Sequence, residues 1–226
     1  MLTKYRPEQV VAVCYTGSAN YNADSESSDI DTWALIIEDN YDANVYQVEM
    51  YSFDNEVIWF CDIRAFIFGL SYSDFWYMLP LYSKYKIVHP QYMSLMLDIY
   101  QKREQYAYNN VINFASSAKK HVDGLAQFFT PAANKATRNK KLYYICLNFM
   151  ATNAYKYHKP IESIFYNEKY GNILQKIKFG EYTDDVYNKL YTSMAATIKS
   201  FHPTEINYPS SDKLVEFSQK QIDKIL

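Results

Sequence analysis

Between residues 17 and 31 the chain reads Gly-Ser-Ala-Asn-Tyr-Asn-Ala-Asp-Ser-Glu-Ser-Ser-Asp-Ile-Asp, and both ends of this stretch carry residue types suited to phosphate chemistry. Asp29 and Asp31 are two apart at the start of an apolar run. In a strand, both carboxylates then leave the same side while Ile30 leaves the other. Their α-carbons stand about 6.5–7 Å apart at strand rise. Carboxylates so placed converge on divalent cations, and a cation lets two like charges stay ionised side by side. Gly17-Ser18 lies where a β-branched run turns over. Glycine admits close approach of backbone N–H groups and serine adds a donor without bulk, so the turn suits a phosphate. A phosphate cradle beside metal-holding acids is equipment for moving a nucleotide or phosphoryl group.

The elements that must position these groups follow from the pattern. Residues 10–15 are Val-Val-Ala-Val-Cys-Tyr, a strand that ends at Thr16-Gly17-Ser18. Residues 32–37 are apolar almost without interruption, as a strand covered on both faces would be. Further strands are expected over 45–50 and 56–61, with Asp62-Ile63-Arg64 opening a helix. From there the spacing is helical over 63–70 and 74–82, from Pro90 to about 101, and from 105 to about 129. Helices are also expected from 135 to about 157, over 172–178 and 184–200, and from a Ser211-Asp212 cap to the end. The expected fold is α+β: a small mixed β-sheet core over 1–90, followed by a helical domain over 91–226.

Composition narrows the function classes. With 226 residues, 49% of them hydrophobic, and 23 basic against 25 acidic residues, the chain can bury a core and is no disordered tail. A net charge of −2 argues against a nucleic-acid coat. Cys14, Cys61 and Cys146 lie too far apart for a disulfide framework or a zinc cluster and read as buried thiols in a reducing compartment. No apolar run nears the roughly 18 residues of a membrane span, and the first residues do not open a signal peptide, so a soluble, cytoplasmic protein without a membrane partner is expected. The 24 tyrosines and Trp33, Trp59 and Trp76 read as core and interface mass rather than base-stacking platforms. The histidines lack metal-ligand spacing. Asn22, Asp24 and Glu26 alternate as in a calcium loop, but no turn glycine follows and no glutamate closes a loop of the right length.

At Gly17, Ser18, Asp29 and Asp31 the sequence resembles the nucleotidyltransferase superfamily typified by DNA polymerase β, whose hallmark is strand–Gly-Ser–spacer–Asp-x-Asp–strand. The aromatic Tyr21 and the run Ser28-Asp29-Ile30-Asp31 look like the stand-alone nucleotidyltransferases of bacteria and their phages. Weaker similarity runs through Asp62-Ile63-Arg64-Ala65-Phe66 and Lys176-Ile177-Lys178-Phe179-Gly180-Glu181. The resemblance implies a nucleoside triphosphate held by Mg²⁺, or Mn²⁺, and attacked at its α-phosphate by an acceptor hydroxyl, with pyrophosphate leaving. Asp29 and Asp31 would then be metal ligands, Gly17 and Ser18 would hold the β- and γ-phosphates, and Tyr21 would line the nucleotide. RNA 3′ ends, protein hydroxyls and small molecules all serve as acceptors in the superfamily.

The family also uses a third carboxylate on a neighbouring strand. Glu56 opens its strand as Asp29 and Asp31 open theirs and is preferred; Asp62, six residues on, is the alternative and reads equally as a helix N-cap. Lys135, Arg138, Lys140 and Lys141 gather at a helix start. They are either a solvated face or, with Lys140 and Lys141 foremost, a hold on the triphosphate or on a nucleic-acid acceptor. The alternative to a transferase is a catalytically degenerate module of the same fold that binds nucleotide or protein. A third class, an antitoxin-like or assembly protein acting through its tyrosine-rich surface, would bind no nucleotide.

Overall fold

A computed structural model describes residues 4–21, 29–41, 48–72, 75–107, 119–120, 122–124, 134–156, 159–160, 167–200 and 211–225. The strands are β1 (Val10–Thr16), β2 (Ile30–Ile36), β3 (Val48–Phe53), β4 (Glu56–Asp62) and β5 (Lys86–Val88), in the order β3-β4-β2-β1-β5. Only β2 and β4 run parallel; the other neighbours are antiparallel. A mixed sheet in an α+β chain is thus observed. β2 is central, and Trp33, Ala34, Leu35 and Ile36 are all buried, which is why its sequence does not alternate. The β3–β4 hairpin turns on Asp54-Asn55, with Asp54 at φ 44°, a left-handed conformation that aspartate tolerates.

Paired residues on neighbouring strands share a face and successive residues alternate, so the registers sort the sheet into two faces. One carries Asp31, Trp33 and Leu35 of β2, Val57, Trp59 and Cys61 of β4, and Thr16, Cys14 and Ala12 of β1. Helix α1 (Ile63–Tyr72) covers it, with the Trp33 ring stacked 6.4 Å from Trp59 and tilted 6.5 Å from Phe66. The other face carries Ile30, Thr32, Ala34 and Ile36 with Glu56, Ile58, Phe60 and Asp62. Tyr5, Ala34, Ile36 and Phe60 form a core cluster at one end of that face.

Further helices among the described residues are α2 (Met93–Gln101), α3 (Lys135–Lys156), α4 (Glu168–Phe179), α5 (Asp184–Lys199) and α6 (Ser211–Asp223). Residues 74–82, expected as an α-helix, instead form a 3₁₀ helix over Phe75–Tyr82 that contains Pro80. Proline lacks the N–H an interior α-helical position must donate. The long helix expected from 105 to 129 falls mostly outside the described residues; 103–107, 119–120 and 122–124 are helical.

The chain forms two compact units, one of Met1–Asn20, Ser25–Asn110 and Tyr208–Leu226, the other of Tyr21–Asp24 and Val111–Asn207. The sheet's unit therefore runs past Pro90 and takes back the last helix. There the Ser218 hydroxyl bonds both Ser71 and Tyr106 at 2.8 Å, fixing α6 on α1. Burial pushes the Tyr106 phenol up to about 12. In the second unit, α3 is tied to the start of α5 by Arg138, whose guanidinium donates to Asp184 at 2.9 Å. Asn167 and Thr183 cap α4 and α5. Among the described residues no helix is long and apolar enough to cross a membrane.

Candidate functional site

β1 and β2 deliver the two ends of the 17–31 stretch to one end of the sheet. Thr16 pairs with Asp31, and the Thr16 hydroxyl donates to the Asp31 carbonyl at 3.4 Å. Gly17 follows at φ 70°, in the left-handed region that glycine alone adopts without cost. A Cβ on Gly17 would overlap the Asp31 Oδ2 and come within 3.0 Å of the Asp31 Cβ and Cγ. Only a residue without a side chain lets that carboxylate lie against the backbone of the turn. The turn and the acid are therefore one construction. Asp29 directly precedes β2 and is exposed, while Asp31 is half-buried. The Ile30 N–H between them donates to the Asn55 carbonyl at 2.7 Å, which anchors this end of β2 to the β3–β4 hairpin.

Gly17–Tyr21 form a short 3₁₀ helix. Ser18 is buried in it, and the Tyr21 side chain lies outside the described residues. The buried Asn20, which sequence reasoning missed, holds this turn in place. Its amide donates to the Tyr82 carbonyl, and its carbonyl accepts from the Lys84 N–H, both at 2.8 Å. Those partners are more than sixty residues away, so no local spacing announces them.

Neither candidate for the third carboxylate shares the sheet face of Asp31. Glu56 pairs with Ile30 in the parallel register, so it leaves the face opposite Asp31. On β4 the residue across from Asp31, on its own face, is Val57. Asp62 also lies on the opposite face, and its lone pairs are taken. It accepts from the Arg64 N–H, Nε and Nη2 and from the Glu38 N–H, all at 2.7–2.8 Å. Arg64 Nη2 also donates to the Glu38 carbonyl at 2.7 Å, and the Tyr41 ring lies 4.3 Å from the guanidinium. Asp62 is the N-cap and ionic anchor of α1, and its hydrogen bonds raise the Arg64 guanidinium above its usual range. Both acids thus lie across the sheet from Asp31, and among the described residues no three His, Cys, Asp or Glu side chains gather to hold a metal.

Lys140 and Lys141 sit on α3, in the second unit, Lys140 exposed and Lys141 half-buried. Their neighbours at the helix start are structural: Lys135 and Arg138 both pair with Asp184. The three cysteines are free and buried, and burial raises every thiol, Cys14 and Cys146 to about 12, so none is a ready nucleophile. No family model and no curated protein matches this chain.

Proposed function

We propose that this protein is a Mg²⁺- or Mn²⁺-dependent nucleotidyltransferase that moves a nucleoside monophosphate from a nucleoside triphosphate to an acceptor hydroxyl. The observation that carries the reading is the seating of the Asp31 carboxylate on the Gly17 backbone, with Asp29 two residues before it. A Gly-Ser turn with ten residues between it and the first of its acids in sequence meets the second, Asp31, in space, as phosphate transfer requires. Oxygen donors of this kind suit a hard cation, and Asp29 and Asp31 are the residues that would hold it. Bound there, the ion would neutralise triphosphate charge and polarise the phosphoryl oxygens.

The chain's own residues bind and orient. Gly17 and Ser18 open the turn that would receive the β- and γ-phosphates. Asn20 and the Thr16–Asp31 pairing hold that turn rigid against the acids. In the transfer, the acceptor oxygen forms the new bond to the α-phosphorus while the bond to the bridging oxygen breaks, and pyrophosphate carries that electron pair away. The acceptor proton passes to water. Incubation with each α-labelled triphosphate, Mg²⁺ or Mn²⁺ and a lysate tests this. Label transferred to RNA, protein or a small molecule supports the reading and names the acceptor, and no labelled product under any condition opposes it.

Val57 favours a second reading, a module of the same fold that binds nucleotide without turning it over. Metal-dependent binding of ATP in calorimetry, without pyrophosphate release over a long incubation, distinguishes it.

A further inference from the structure

The sheet face opposite Asp31 is only partly covered. Tyr5 and its cluster close one end of it, but toward the other end the rows stay open. The registers run one row through Tyr51, Ile58, Thr32 and Tyr15, a second through Phe53, Glu56 and Ile30, and a third that ends in Val13 and Ile87. Tyr85 extends the first row: its carbonyl accepts from the Tyr15 N–H at 2.9 Å, and its ring lies 6.4 Å from that of Tyr15. On this face Ile87 is 76% exposed, Tyr85 61%, Phe53 49%, Tyr15 48% and Ile30 46%. Side chains of this size present about 150–250 Å² each when fully open, so these five leave roughly 600 Å² of largely apolar surface. The half-buried Val13 and Thr32 extend it, while Tyr51 and Ile58 pack on the Tyr5 cluster.

That area reaches the top of the range for the largest apolar patch on a monomer, about 300–600 Å², and is about three quarters of the roughly 800 Å² each partner gives to a stable interface. The charges on the face argue against a polyanionic occupant. Glu49 is ion-paired with Lys4, and Glu56 is acidic, so the face shows no basic excess for a phosphate backbone or an anionic lipid surface. Shape selects among proteins. A broad, pleated, five-stranded face packs best on another sheet, the two about 10 Å apart, and a two-fold axis needs only one such patch.

We infer that this face is a homodimer interface, closed by the same face of a second copy of the chain. The dimer leaves the Asp31 face of each sheet outside the contact.

Sedimentation velocity of the full chain between about 1 and 100 µM tests this. The wild type is expected to move from the 26.6 kDa species to one of twice that mass as concentration rises. Ile87→Glu and Tyr15→Glu, each checked for folding by circular dichroism, are expected to stay at the smaller mass, and Tyr15→Phe to keep the larger one. Hydroxyl-radical footprinting of the wild type needs no variant. Tyr15, Tyr85 and Phe53 are expected to be protected at the high concentration and labelled at the low one. A wild type at the smaller mass over the whole range, a larger species indifferent to both glutamates, or Tyr15, Tyr85 and Phe53 fully labelled at both concentrations would overturn the interface.

Discussion

The Asp31 carboxylate rests on the α-carbon of Gly17, in the space any other residue's Cβ would fill. This contact joins the Gly-Ser turn and the strand that carries Asp31 into one local construction. It also explains why the chain, with only five glycines, spends one there.

Gly17→Ala should therefore be harmful twice over. The alanine pays roughly 1–2 kcal/mol for the left-handed backbone, and its methyl displaces the carboxylate. Urea unfolding is expected to show at least that loss, with divalent-dependent nucleotide binding weakened as well. Gly124→Ala, where a Cβ would meet nothing within 4 Å, is the control and should not destabilise.

Asp62 and Glu56 should separate structure from chemistry. Removing a buried partner of Arg64 strands its charge, so Asp62→Ala is expected to cost about 3–5 kcal/mol in denaturant unfolding. Glu56→Gln, at an exposed strand end on the other face, should stay within about 0.5 kcal/mol and leave turnover unchanged. Loss of turnover in the folded Glu56 variant would return that residue to the site.

These two acids mark where the sequence stopped being readable. The β-branched and apolar runs of β1, β2 and β4 are evident from residues alone, and so is the Gly-Ser turn at the end of β1. Which side of β4 faces Asp31 is not, because it depends on a parallel register between strands some twenty residues apart, and a shift of one residue exchanges the faces. Glu56 opens its strand as Asp29 and Asp31 open theirs, yet it stands one position off in that register. For Asp62 the signal was present: an arginine two residues on, at the start of a helix, is the geometry of a cap reinforced by an ion pair. β5 is three residues long, too short for its Lys-Ile-Val to stand out between tyrosine and histidine. Asn20 is tied to Tyr82 and Lys84 only by the closing of the chain.

Placing an acid where the register puts Val57 should strengthen the site. Val57→Asp adds a third oxygen ligand beside Asp31, and divalent affinity follows ligand charge count, so Mn²⁺ is expected to bind about tenfold more tightly in calorimetry. Unchanged affinity in a folded variant would mean that position 57 does not face the ion.

The second unit should show an acid-dependent clamp. Lys135 first, then Arg138, hold the Asp184 carboxyl below its usual value. A carboxylate with a depressed folded pKa stabilises above its unfolded value near 3.9 and loses that contribution as pH falls through the folded one. The stability gap between wild type and Asp184→Asn, read by chemical denaturation, is therefore expected to be full at pH 6 and to narrow below pH 4. A gap constant from pH 6 to 3 would remove the ionic link.

The two aspartates and the turn beneath them are tested together by pyrophosphate release from triphosphate and Mg²⁺ or Mn²⁺, comparing the wild type with Asp29→Asn combined with Asp31→Asn. The expected result is release by the wild type and a fall of about 100-fold or more in the double variant, which should keep its circular-dichroism spectrum and melting point. Equal release by the two proteins would contradict the site.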